Sequence, residues 1–271
     1  MKQSSASMKP KNKLLPNYYL YIKPMSNSEN FIVTTFYKFV ELKDLTELKL
    51  QLLKFCNEVK IKGTILIAKE GINATLTGNK DSIIAFYSFI KSYNCFSDLN
   101  FKESISNFIP FKKMKVKIKP EIVTFKADVN IDNRGEYLSP EEWDKFLEKD
   151  DVIVIDTRNN YEVALGTFKN ATDPKTKAFT ELPMWVKENL TEEDKEKTIL
   201  MFCTGGVRCE KSTAYMKQNG FEKVYHLEGG ILKYLEITKN ANNNWIGSCF
   251  IFDDRAALSH DLTALESLRN A

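Results

Sequence analysis

Cys203-Thr204-Gly205-Gly206-Val207-Arg208-Cys209-Glu210 brings together the residue types needed to hold a thiolate. Thr204, Gly205 and Gly206 carry little side chain, so successive backbone N–H groups can turn inward and form an anion-binding concavity. Arg208 adds a fixed positive charge, and the helix that Cys209 opens adds the partial positive charge of its N-terminus. A cysteine in that setting gives up its proton readily and becomes a nucleophile. An inert core thiol is the plainer alternative for Cys203, but apolar packing needs neither a Gly-Gly pair nor an arginine in the next five positions. Cys209 reads equally as a second, resolving thiol and as a core residue. Cys56, Cys95 and Cys249 lie among apolar neighbours and read as packing.

The spacing narrows the chemistry. Phosphatase loops of this general type place five residues between cysteine and arginine, whereas four stand here, Thr204 to Val207. The smaller ring suits a persulfide sulfur or another small group better than a phosphate. His226, Glu228 and His260 have the residue types of a two-histidine, one-carboxylate iron site, but His226 and Glu228 lie inside the His-Leu-Glu-Gly-Gly phrase and His260 in an end segment with no clear packing pattern, so no metal is expected. No Gly-x-Gly-x-x-Gly is present, and no flavin, nicotinamide or iron cofactor is evident.

The elements around the loop follow from periodicity. Lys197-Thr198-Ile199-Leu200 reads as a short apolar strand, and Lys211 to Asn219 as a helix stopped by Gly220. Asp151-Val152-Ile153-Val154-Ile155-Asp156 is a buried-type strand ending in a carboxylate. Asp156 and Arg158 read as a strand-end ion pair that supports the loops around the site without entering the chemistry. Strands alternating with helices through Glu236 imply a parallel α/β sheet, whose ligands sit at the carboxyl ends of the strands.

Upstream, the order of apolar patterns between Val33 and Ser104 is β-α-β-β-α-β, the ferredoxin-like plan. A basic strand then follows, with Lys112, Lys113, Lys115, Lys117 and Lys119; such a stripe can bind phosphates, and a solvated strand face is the plainer alternative. The divisions expected are a flexible lead over residues 1–30, carrying a Tyr18-Tyr19-Leu20-Tyr21 patch, and a ferredoxin-like RNA-binding domain over 31–127. A catalytic α/β domain over 128–240 and a C-terminal strand and tail over 241–271 complete the chain. Ser139-Pro140-Glu141-Glu142 marks a helix start, with its cap, its proline and its acids in place.

Composition sets the outer limits. With 271 residues, 43% hydrophobic and 28% charged, the chain can hold two modest domains, each with a core. No apolar run approaches a membrane span, and the first residues lack the apolar stretch of a signal peptide. Five cysteines without paired spacing argue for reduced thiols and a cytoplasmic location. A net charge of +3 is too small to argue for nucleic acid by itself.

The cysteine loop, on a strand–loop–helix, resembles the active-site loop of rhodanese domains. Asp156-x-Arg158 followed by Tyr161-Glu162 and Gly166 resembles their other signature. Two narrower phrases, Cys-Thr-Gly-Gly-Val-Arg-Cys-Glu-Lys and Tyr225-His226-Leu227-Glu228-Gly229-Gly230-Ile231-Leu232-Lys233-Tyr234, resemble the bacterial rhodanese-domain tRNA uridine(34) hydroxylases. That resemblance runs from about Phe36 to Arg255. It implies oxygen-dependent hydroxylation of the wobble uridine to 5-hydroxyuridine at Cys203, with molecular oxygen as co-substrate. The partner implied is the anticodon loop of tRNA, with no membrane and no obligate protein partner. A rhodanese-type sulfurtransferase carrying a persulfide on Cys203 is the alternative. This sequence departs from many such relatives in two places: it has Thr180 where they commonly carry arginine, and it has no cysteine after Cys249, where they continue into a cysteine-rich tail.

Overall fold

The structure is a computed structural model that describes residues 30–238 and 243–265. The expected lead, up to residue 29, lies outside those residues, as do positions 241–242 and 266–271 of the expected tail. The chain divides into two compact units, Met1–Ile122 and Val123–Ala271.

In the first unit β1 (Phe31–Phe39), α1 (Leu45–Glu58), β2 (Lys62–Ala68), β3 (Gly71–Gly78), α2 (Lys80–Lys91) and β4 (Lys102–Ser106) follow the expected ferredoxin-like order. A further strand, β5 (Met114–Ile118), is added in parallel beside β2, giving a five-stranded sheet of order β4-β1-β3-β2-β5. Alternation explains the register: Ile65 and Val116 pair and are buried, whereas Lys115 and Lys117 flank them and are exposed. Leu48, Leu52 and Cys56 of α1 and Ile83, Phe86 and Ile90 of α2 recur at helical spacing and close the core. Gly63 and Gly71 have positive φ, and a Cβ on either would fall within 2.2 Å of a backbone carbonyl oxygen.

The second unit begins at Val123, ahead of the boundary expected at about 128, because Phe125 is fully buried in its core beside Phe179 and Tyr215. Its elements are β6 (Glu136–Leu138), α3 (Pro140–Leu147), β7 (Val152–Asp156), α4 (Asn160–Val163), β8 (Gly166–Phe168), α5 (Leu182–Asn189), β9 (Thr198–Phe202), α6 (Val207–Gln218), β10 (Val224–Leu227) and α7 (Gly230–Ile237). Short strands β11 (Trp245–Gly247), β12 (Cys249–Phe250) and β13 (Ala257–Leu258) follow. The sheet has the order β6-β10-β9-β7 and is parallel throughout. The capping box expected before α3 is formed: Ser139 Oγ accepts from Glu142 N at 3.2 Å, and Glu142 Oε2 accepts from Ser139 N at 2.9 Å.

Strands β7 and β9 end level, with Asp156 opposite Phe202. The loop that begins at Thr157 and the loop that begins at Cys203 therefore leave the sheet side by side, at its carboxyl end. Thr157 joins them by donating both its N–H, at 3.0 Å, and its hydroxyl, at 2.9 Å, to the carbonyl of Phe202.

Candidate active site

The cysteine loop is shaped by its glycines. Gly206, the N-cap of α6, has φ +101°, a conformation that side chains with a Cβ rarely adopt. It turns the chain so that its own N–H donates to the Cys203 sulfur at 3.1 Å. A second glycine holds the loop from the other side. Gly230, at φ +67°, packs so closely that a Cβ there would lie 2.4 Å from the Cys203 carbonyl oxygen and 2.7 Å from that of Thr204. The next two amides use this proximity: Ile231 N donates to Cys203 O at 3.0 Å and Leu232 N to Thr204 O at 3.1 Å. The start of α7 thus fixes the backbone on which Cys203 sits.

Cys203 is 1% exposed. Burial by itself would push its thiol up, but this is outweighed by a hydrogen bond from the Cys209 thiol, the charge of Arg208 and the N–H groups of Arg208 and Gly206. The result is a pKa lowered to about 5. Cys209 moves the other way: burial first, then its bond to and the charge of Cys203, drive it well above the ordinary thiol range. Its sulfur also lies 3.8 Å from Thr157 Oγ1. One sulfur holds the negative charge and its neighbour keeps a proton to donate to it.

The Arg208 side chain does not cap the sulfur directly. Nη1 donates to Glu162 Oε2 at 2.6 Å and Nη2 to Glu162 Oε1 at 2.7 Å, a buried two-point ion pair across forty-six positions of sequence. Thr204 Oγ1 accepts from Arg208 Nη2 at 3.3 Å and donates to Glu162 Oε1 at 3.4 Å, which ties the loop to the pair. Glu162 also accepts the N–H of Asn159 at 3.1 Å. Sequence reasoning gave Glu162 no role in the site. The signal that could have found it is a glutamate in a short turn after the strand that neighbours the cysteine strand.

Asp156 and Arg158 form their own buried fork, Nε to Oδ1 at 2.9 Å and Nη2 to Oδ2 at 2.6 Å. Thr167 Oγ1 donates to Asp156 Oδ2 at 2.8 Å, and Arg158 Nη2 to Gly166 O at 2.5 Å, so the pair fastens β8 to the end of β7. Cys56 and Cys249 are buried, and burial pushes both thiols up to about 12.

His226 lies in the sheet, its ring tilted against that of Tyr137 with centroids 4.2 Å apart, and is lowered to about 3 by burial and then by the charge of Arg134. Glu228 pairs with Lys233 at 2.9 Å. Among the described residues no group of three or more His, Cys, Asp or Glu side chains is placed to hold a metal ion. Lys112, Lys113, Lys115, Lys117 and Lys119 are all exposed, on and beside the edge strand β5 of the first unit. Among the described residues no helix is long and apolar enough to cross a membrane.

Comparison with known proteins agrees with both units. Residues 31–122 match the family model of the UPF0176 acylphosphatase-like domain, and residues 139–237 match that of the rhodanese-like domain. A Wolbachia pipientis wMel protein named tRNA uridine(34) hydroxylase is 50% identical over 241 residues, covering 89% of this chain and 87% of that protein. Proteins of the same name from Legionella pneumophila (strain Paris) and Anaplasma marginale (strain Florida) are 48% identical over 237 residues and 44% over 246. They cover 86% and 90% of this chain, and 92% and 89% of their own lengths.

Proposed function

The chain belongs to the family of tRNA uridine(34) hydroxylases, and we propose that its Cys203 thiolate is the nucleophile of an oxygen-dependent hydroxylation of the wobble uridine. The observation that carries this reading is a buried sulfur that accepts the Gly206 N–H at 3.1 Å and whose thiolate form is favoured by the neighbouring Cys209 thiol and by the charge and amide of Arg208. Buried thiolates are costly, and one maintained by that many donors is poised to attack an electron-poor carbon.

In the first step the Cys203 sulfur bonds to C6 of uracil, and the electron pair of the C5–C6 double bond moves onto C5 and the adjoining carbonyl. The loop amides and the Arg208 charge stabilise the oxyanion that develops. C5 takes one atom of dioxygen, while the other leaves as water with two electrons and two protons from a thiol reductant. Loss of the C5 proton then restores the double bond and expels Cys203 as thiolate. Each turnover converts uridine, dioxygen and two thiols into 5-hydroxyuridine, water and a disulfide. Cys209 keeps Cys203 a good leaving group by hydrogen-bonding the departing thiolate while retaining its own proton.

The uridine reaches such a pocket by leaving the stack of the anticodon loop, which costs least in single-stranded RNA. Lys112, Lys113, Lys115, Lys117 and Lys119 bind tRNA phosphates in this reading, and no resident cofactor or obligate protein partner is invoked. Five free cysteines fit a cytoplasmic setting.

The test is nucleoside mass spectrometry of tRNA incubated with the protein and a thiol reductant, with and without oxygen, beside a Cys203→Ala variant. One added oxygen atom on uridine, dependent on oxygen and absent in the variant, is the expected outcome. Unmodified tRNA, with a persulfide accumulating on Cys203 instead, would replace hydroxylation with sulfur transfer.

A further inference from the structure

An aromatic wall borders the Cys203 cradle, and neither the fold nor the thiol chemistry uses it. Tyr161 stands on α4 directly before Glu162, Phe250 on β12, and Phe252 two residues further along. The rings of Tyr161 and Phe250 meet edge-on at 5.2 Å, and those of Phe250 and Phe252 at 5.1 Å. The Phe252 ring centroid lies 5.9 Å from Cζ of Arg208. Yet Tyr161 is 45% and Phe252 61% exposed, so both forfeit much of the stabilisation that burial would give them.

The exposed rings are held in place. Behind Phe252, Arg255 forks onto Asp253, with Nε 2.8 Å from Oδ1 and Nη2 2.6 Å from Oδ2, and both side chains are buried. Ile251 N donates to Ala256 O at 2.9 Å, and Cys249 pairs with Leu258, so Phe252 rides on a tight hairpin. Tyr161 is steadied by the Asn159 amide, which donates to its hydroxyl at 3.0 Å. A preorganised ring loses little entropy when a ligand settles on it.

What such a wall selects follows from its chemistry. The nearby Arg208 charge is already matched by Glu162, so the surface offers flat π-faces in place of a cation for phosphate. Two exposed rings are far smaller than the roughly 800 Å² per partner of a stable protein interface. Unpaired nucleobases, by contrast, stack on aromatic side chains one at a time.

We propose that Tyr161 and Phe252 form a stacking surface for an unpaired RNA base flanking the uridine that is presented to Cys203. This rests on the hydroxylase reading of the same site. Turning one base out of a loop strips its neighbours of a stacking partner, and the wall replaces that partner beside the reacting group.

The experiment uses the full chain and an anticodon stem-loop carrying the fluorescent base 2-aminopurine next to uridine 34. Binding is followed by fluorescence, and hydroxylation of unlabelled tRNA is measured in parallel. Phe252→Ala is expected to raise Kd and KM by roughly 5- to 100-fold, with kcat changing far less, and Phe252→Trp is expected to restore both. Tyr161→Ala should act in the same direction. A Phe252→Ala variant that binds the stem-loop as tightly as wild type would overturn the proposal. So would a dimer in gel filtration that Phe252→Ala dissociates without weakening RNA binding, since the wall would then be a surface shared between copies. Binding that depends on Phe252 in a wild type that forms no 5-hydroxyuridine would support the wall and overturn the hydroxylase reading alone.

Discussion

The guanidinium of Arg208 is forked onto Glu162 at 2.6 and 2.7 Å, while both its charge and its backbone N–H favour the thiolate form of Cys203. The arginine therefore acts on the thiolate in two separable ways: through an amide fixed by the loop, and through a charge whose position Glu162 sets. Glu162 is a positioning residue. It holds the cation close enough to stabilise the sulfur and keeps it from being buried unpaired.

Removing Glu162 should accordingly cost fold as well as function. Glu162→Ala leaves a buried guanidinium without its counter-ion, a loss of roughly 3–5 kcal/mol. Replacing both partners, Glu162→Leu with Arg208→Met, removes the two buried charges together and should recover most of that stability. Activity should be lost in the double variant even so, because the thiolate no longer has its cation. Urea midpoints for the single and double variants decide the matter: a Glu162→Ala protein as stable as wild type would show that the pair anchors nothing.

The thiolate gives the protein a pH signature. Cys203 is held down to about 5 in the folded chain, whereas an unfolded cysteine titrates near ~8.5. Between these values the unfolded state binds the extra proton, so stability contributed by this sulfur rises with pH and is lost as pH falls toward 5. Urea midpoints at several pH values should show that rise in wild type and a flatter line in Cys203→Ser. Alkylation of Cys203 by iodoacetamide should titrate with the same low midpoint. Cys209→Ala removes a donor to the sulfur and should move that midpoint upward, while Cys209→Ser, which keeps a donor, should move it less. A profile indifferent to position 209 would remove Cys209 from the site.

How much of this was readable beforehand depends on distance along the chain. The β-α-β-β-α-β order, the Ser139 cap and the cysteine loop are local patterns, each decided by residues a few positions apart, and each appears in the structure. The Glu162–Arg208 pair was hidden because nothing in local spacing couples residues forty-six positions apart. The placing of β5 beside β2 depends on pairing with a strand some fifty residues earlier, as Ile65 with Val116. Phe252 was invisible for a different reason: an apolar residue in a short strand pattern reads as core, and only the tight turn held by Asp253 and Arg255 leaves it in water.

The lysines of β5 make a prediction about salt. Lys115 and Lys117 share the exposed face of an edge strand, with the buried Val116 between them. Substituting both by glutamine should weaken tRNA binding whatever the sequence of the loop. It should also lower the slope of log affinity against log salt by roughly 1 for each phosphate that a lysine no longer neutralises. The measurement is a binding titration across salt concentrations. An unchanged slope would make the stripe a solvated strand face and nothing more.

Gly230 tests whether the start of α7 holds Cys203 in place. A methyl group there would lie 2.4 Å from the Cys203 carbonyl oxygen, 2.7 Å from that of Thr204 and 2.8 Å from Gly206 N, and the φ of +67° disfavours any side chain. All three neighbours are backbone, so none can swing aside; the loop and α7 must separate, breaking the Ile231 and Leu232 hydrogen bonds to the loop. Gly205 differs in having nothing within 4 Å of a Cβ built on it. Gly230→Ala should therefore lower the melting temperature and raise the pH midpoint of Cys203 alkylation, as the amides and the Arg208 charge move off the sulfur. Gly205→Ala should leave the melting temperature unchanged. If Gly230→Ala melts early yet alkylates with the wild-type pH profile, α7 braces the fold without setting the thiolate, and the cradle is held by the turn at Gly206 alone.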